Sequence, residues 1–200
     1  MKDFLEALRI QRWDDHRHYH HSRINQSLHL LSAVSFLVAY VLLFTDPALA
    51  ALTAWLVSMI SRQVGHFFFE PKGYDHVNQA THEHKEHIKV GYNLRRKVVL
   101  MAIWALSPLL LVWQPGLFGL FEPHIDMAGF IHQVGLLWLG VGMAGLLFRM
   151  LQLFVLKDLQ TALVWVTKIL TDPFHDIMLY HKAPLYVMRG QLLDPGHRAS

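Results

Sequence analysis

The sequence has no cysteine, which excludes a disulfide framework, a thiolate metal site and a thiol nucleophile. It is also poor in charge. Asp, Glu, Lys and Arg make up 16% of its 200 residues, against roughly a quarter in a soluble domain. Hydrophobic residues reach 53%, and they are gathered in long runs instead of spread at helical spacing. Disorder, collagen-like repeats and coiled coil are excluded, and the pattern is that of a membrane protein. The segment from Met1 to Ser27 lacks an apolar stretch and a small-residue cleavage site, so it does not read as a signal peptide. What abounds is histidine, with fifteen residues against eighteen lysines and arginines together.

The apolar runs cover residues 28–44, 48–64, 98–113 and 129–148. The first three are at the short end of what crosses a hydrocarbon core of roughly 30 Å, and the fourth is long enough without question. Thr45-Asp46-Pro47 separates the first two, with Asp46 placed to cap a helix and Pro47 at its first position. Ser107-Pro108 predicts a kink in the third, and Gln114-Pro115-Gly116 opens a loop. The tail from Arg149 reads as an emerging helix end followed by an interfacial segment. The expectation is an all-α polytopic membrane protein: one integral domain over residues 1–200, about four transmembrane helices, and a histidine-rich cytoplasmic face.

Charge sets the expected orientation. Asp46 and the loop from Gln114 to Ala128 lie on one side of a four-span chain, and neither contains Lys or Arg. All eighteen basic residues fall on the other side, which places both termini in the cytoplasm. The membrane would be the plasma or inner membrane in a bacterium and the endoplasmic reticulum in a eukaryote. The pI of 9.2 reflects this belt against anionic headgroups, and no nucleic-acid motif accompanies it. The histidines sort likewise: all but His124 and His132 lie on the basic side.

Apart from His197, the histidines on the basic side fall in segments 16–29, 66–87 and 175–181. In Tyr19-His20-His21…Asn25…His29, the residues His21, Asn25 and His29 share a face if the segment is helical. The Asp46-Pro47 turn returns the end of span two beside the start of span one. His66 in Arg62-Gln63-Val64-Gly65-His66 is thereby brought toward His29, with Glu70 one helical turn on. A third cluster is His82-Glu83-His84-Lys85-Glu86-His87, which is either a second metal set (His82, His84, His87) or a solvated charged helix. His175-Asp176 offers a ligand or a supporting pair. Imidazole suits iron, zinc and copper, and histidine–carboxylate sets with open positions suit non-haem iron oxygen chemistry. Transport fits less well, because the spans hold mainly serines near the midplane. Haem between His29 and His132 fails, because they lie toward opposite faces.

At Tyr19-His20-His21…Asn25…His29 and Val64-Gly65-His66…Phe69-Glu70, roughly the first seventy residues resemble a known family. It is the membrane proteins related to the yeast 2-hydroxy fatty acid dioxygenase of phytosphingosine degradation. Ser22-Arg23 stands where that family usually has Asn-Pro, and Arg62 where it has glutamine. The resemblance implies an Fe(2+) enzyme that uses O2 to shorten a 2-hydroxy fatty acid by one carbon in alpha-oxidation. It implies His20, His21, His29 and His66 as motif histidines, with Asn25 and Glu70 as the motif asparagine and glutamate. Two other functions stand beside it: a di-iron acyl hydroxylase or desaturase that also uses the His82–His87 box, and a non-enzymatic lipid-binding or adaptor protein with interfacial histidines.

The expected site is an iron(II) at the cytoplasmic membrane surface, held first by His29 and His66. His20 or His21 supplies a third nitrogen, and Glu70 serves as alternative ligand or base. Asn25 orients a ligand, Arg62 or Lys72 pairs the substrate carboxylate, and the acyl chain runs past Phe67 to Phe69.

Overall fold

The structure, a computed structural model, describes residues 2–70, 72–76 and 78–194. Regular structure among these residues is helical, apart from isolated bridges at Ser22–Leu193 and Asp75–Ala80. In chain order the helices are α1 (Lys2–Tyr19), α2 (Arg23–Leu42), α3 (Pro47–Phe69), α4 (His82–Ile88), α5 (Leu94–Leu106), α6 (Pro108–Trp113), α7 (Met127–Leu156), α8 (Leu159–Tyr180) and α9 (Ala183–Met188). Four stretches are long and apolar enough to cross a membrane: Arg23–Leu42, Pro47–Phe69, Arg95–Trp113 and Met127–Leu156. The fold is all-α and polytopic, as expected from the four runs.

The helices outrun the apolar runs, because hydropathy marks only the lipid-compatible part of a helix whose polar ends also carry on. Span one starts at Arg23, where Ser22 accepts from the Asn25 amide as N-cap. His21 therefore lies outside the helix and off the face it was expected to share with Asn25 and His29. Span two starts as predicted, with Asp46 accepting from Leu49 N at 2.9 Å and Pro47 next. Two π-helical stretches interrupt α3, Ala54–Met59 and Gly65–Phe69. Each adds a residue to a turn and rotates the side chains beyond it, and the second contains His66. The third span breaks between α5 and α6 at Ser107-Pro108.

Spans two, three and four are tied by three tryptophans. Trp55 stacks on Trp104 with centroids 5.0 Å apart, and Trp138 lies 4.9 Å from Trp104. Their indoles donate onward, Trp55 to Trp138 O and Trp138 to Trp104 O. Gly135 lets α7 meet α3 backbone to backbone, since a Cβ there would stand 2.5 Å from Ala48 O.

The tail corrects the expected interfacial segment. Arg149 stays within α7, its guanidinium donating to Val90 O and to Gly91 O. After a short turn, α8 packs against α1, α2 and α7. Three carboxylates and cations of α8 turn inward: Lys168, Asp172 and Asp176 are buried. Because partners on α1 and α3 neutralise them, a helix that reads as mixed and superficial is in fact part of the core.

Candidate metal centre

Three local devices build the site. At the α1–α2 corner, consecutive peptide carbonyls are each held: Tyr19 O accepts from Asn25 Nδ2 (2.9 Å), His20 O from Gln26 Nε2 (2.8 Å) and His21 O from Asp194 N (2.9 Å). This pins the backbone that carries His20. His29 projects from α2 two turns further on. The π turn at the end of α3 carries His66, and Gly65 makes room for it, since a Cβ there would stand 2.1 Å from Asn25 Oδ1. Asn25 thus packs between the His20 and His66 backbones and positions both; it is not aimed at the imidazoles.

His20, His29 and His66 offer one nitrogen each, all within 4.8 Å of one another. His20 Nε2 and His29 Nε2 are 3.2 Å apart. Two nitrogens bound to one ion at ~2.1 Å and near-tetrahedral or right angles stand roughly 3.0–3.4 Å apart, so this pair matches. The opposite edges of the His20 and His66 rings meet acceptors, and a carboxylate stands near that of His29. His20 Nδ1 donates to Asp15 O (3.0 Å), His29 Nδ1 lies 3.5 Å from Asp176 Oδ2, and His66 Nδ1 lies 2.7 Å from Glu70 Oε2. An acceptor at Nδ1 places the proton there and leaves Nε2 as a lone pair. In His20 and His66 the Nε2 lone pair is then left for a cation, and His29 Nε2 stands 3.2 Å from that of His20.

Electrostatics agree where the groups lie outside the spans. Burial, reinforced by neighbouring His29, holds His20 well below the usual imidazole range, so its ring is neutral. Burial pushes the Glu70 carboxyl up to about 7 against the pull of Lys89 and Lys97. Burial and the nearby Asp176 raise the Tyr180 phenol well above its ordinary value. Tyr180 closes one side of the site: its oxygen is 3.0 Å from His16 Nδ1, and its ring centroid is 5.7 Å from that of His20.

The expected residues divide. His20, His29 and His66 meet, with Glu70 behind His66. His21 is drawn away to Asp75, 3.4 Å from its carboxylate, so the third nitrogen comes from His20. Arg62 already has a carboxylate partner inside the protein. Its guanidinium pairs with Asp176 Oδ2, brought in by α8. Lys72 and His82 line a cleft beside His66 and Glu70, together with Glu86, Lys89 and Lys97. His84 and His87 are exposed and point elsewhere around α4. Among the described residues, no group of three or more potential ligands gathers besides His20, His29 and His66.

Sequence reasoning missed the supports. Lys168 bonds Asp15 at 2.8 Å and Asp172 at 2.6 Å, and Arg12 bonds Thr171 at 2.6 Å. This lattice locks α1 to α8 and so fixes the carbonyl that holds His20. No local motif signals it, because its members lie some 150 residues apart in the chain, 153 for Asp15 and Lys168. Asp176 had a signal in its adjacency to His175, but the ligand it supports is His29.

The fold and site define a class: an all-helical membrane protein with a buried three-histidine centre able to hold a metal ion. Comparison of the chain with protein-family models, curated proteins and solved structures finds no match.

Proposed function

We propose that the protein is an iron(II)-dependent membrane oxygenase that shortens a 2-hydroxy fatty acid by one carbon. The convergence of three buried imidazoles, two of them hydrogen-bonded to an acceptor at Nδ1, carries the metal-centre part of this reading. Iron and the substrate class rest on the motifs at Tyr19–His29 and Val64–Glu70. The reaction balances without an outside reductant. A 2-hydroxy acid and O2 give the acid one carbon shorter, carbon dioxide and water, and the substrate's head carbons supply every electron that O2 takes up.

His20, His29 and His66 would hold the ion, and iron(II) bound there supplies redox chemistry toward O2 and open positions for a hydroxyl and a carboxylate. The chain's own residues do the rest. Asp15 O and Glu70 hold His20 and His66 in the tautomer that turns Nε2 inward, and Asp176 stands beside His29 Nδ1. Tyr180 and the α1–α2 corner exclude bulk water from the far side. The distribution of Lys and Arg supports a cytoplasmic setting for this face and both termini. There the acid's head meets the site while its chain remains in the bilayer.

Elemental analysis of the purified protein, with oxygen uptake on 2-hydroxyhexadecanoate, tests the reading. The expected result is about one iron per chain, lost together with oxygen uptake in His29→Ala and in His66→Ala. His124→Ala, whose ring bonds Gln133 away from the site, should change neither. Full iron occupancy in the double variant His29→Ala, His66→Ala would overturn it. Because a three-nitrogen set also suits hydrolytic zinc, about one zinc per chain without oxygen uptake would turn the reading to a hydrolase.

A further inference from the structure

Arg62, the cation nearest His66 in sequence, already pairs with Asp176, and the surface beside His66 offers a substrate head other cations. A cleft opens beside His66 and Glu70, lined further by Lys72, His82, Glu86, Lys89 and Lys97. Its cations outnumber its carboxylates. Lys89 is spoken for, with Nζ 3.3 Å from Glu86 Oε1 and 3.6 Å from the centre of the Tyr19 ring. Lys72 is exposed. Lys97 is different: it is half-buried, and its ammonium has no hydrogen-bond or ion-pair partner among the described residues. A half-buried ammonium that no side chain pairs can take an arriving anion without first giving up another contact.

We infer that this cleft seats the substrate's carboxylate, with the Lys97 ammonium as its anchor. Size argues for a head group and nothing larger. All the space between atoms in the cleft, solvent at its mouth included, comes to about 290 Å³, too little for an acyl chain. The chain must leave the cleft, and Phe68 and Phe69, between His66 and Glu70, are exposed where an apolar tail can lie. Lys97 stands in the first turn of α5 at the head of the third span. Its ammonium therefore sits at the depth where a membrane-dissolved acid holds its carboxylate. The cleft borders His66 directly, so a carboxylate held by Lys97 carries its 2-hydroxyl toward the three-histidine centre. This inference takes its substrate from the proposed oxygenase reading, but its test needs no metal.

Binding is measured calorimetrically on the full-length chain in detergent, as purified and after metal removal, with metal content recorded. The probes are 2-hydroxyoctanoate, its carboxylate-free counterpart 1,2-octanediol, and octyl phosphate. A charge-assisted hydrogen bond predicts that Lys97→Met weakens 2-hydroxyoctanoate about ten- to a hundred-fold. Diol binding and metal content should stay unchanged, and Lys97→Arg should retain most of the affinity. If the metal-free protein keeps a Lys97-dependent preference for the acid, the cleft assignment stands even should the iron reading fall. Equal affinity for the acid in the wild type and in Lys97→Met overturns it. So does octyl phosphate binding more tightly than the acid, which would make the cleft a phospholipid headgroup site. Should Lys97→Met fail to fold, the wild type decides: an acid that binds no better than the diol refutes the inference.

Discussion

Asp176→Asn separates the two tasks of one carboxylate. Asp176 Oδ2 takes the Arg62 guanidinium and lies 3.5 Å from His29 Nδ1. Asparagine keeps the shape but offers one acceptor oxygen and turns N–H donors toward the remaining partner. If the oxygen stays on Arg62, the amide faces His29 Nδ1 with a hydrogen. That favours moving the ring proton to Nε2, the nitrogen that faces His20. Losing such a support costs metal affinity about 10–100-fold. The second loss is stability. The Arg62 and Asp176 side chains are 16% and 9% exposed, so removing the negative partner strands a largely enclosed cation. The cost is ~3 kcal/mol, the low end for a buried pair because Arg62 keeps some solvent. Adding Arg62→Met removes the stranded charge and should return most of the stability without returning metal affinity. Thermal melts of detergent-solubilised protein read the first quantity, and competition with a metal-binding dye reads the second. Metal affinity unchanged in Asp176→Asn, or fully restored by Arg62→Met, would refute the tautomer argument.

Three further outcomes follow from particular contacts. Gly65→Ala places a Cβ against Asn25 Oδ1 and should cost about 1–3 kcal/mol by displacing the amide from Tyr19 O, lowering Tm by roughly 2–10 °C; an unshifted melt would contradict the packing. Burial alone would raise the Asp75 carboxyl, but hydrogen bonds from Asn78 and the nearby His21 and Lys85 bring it down to about 2. Its folded value thus lies below the unfolded ~3.9, so its stabilisation is complete above pH ~4 and is lost as pH falls through about 2. Pepsin nicking around residues 72–81 should rise over that window, after correction for the protease's own pH profile, and a flat rate would count against the shift. Reporter fusions should signal the cytoplasm at both termini and the opposite side at Gly119, and a cytoplasmic signal at Gly119 would exclude four spans.

Much of this was legible from the chain. Long apolar runs, the Asp46-Pro47 turn and the Ser107-Pro108 break are local features whose physics acts within a few residues, and they reappear as four spans with the expected interruptions. The meeting of His29 with His66 also followed, because a short turn obliges the end of span two to return beside the start of span one. The choice between His20 and His21 did not. It depends on a helix that begins at Arg23 and on Asp75, which captures His21 from a loop beyond span two. Nor could the roles of the cations be assigned. Arg62 reads as a free guanidinium until α8 delivers Asp176 to it, and Lys97 reads as one of three basic residues, Arg95-Arg96-Lys97, until the cleft encloses it. Hydropathy and turn chemistry are properties of short segments, and they already dictate a four-span helical membrane protein with histidines crowded on one face. Which three imidazoles turn their lone pairs together, and which charges stand behind them, was decided only when α1 and α8 closed over spans one and two, since those partners lie far apart in the chain and meet only by packing.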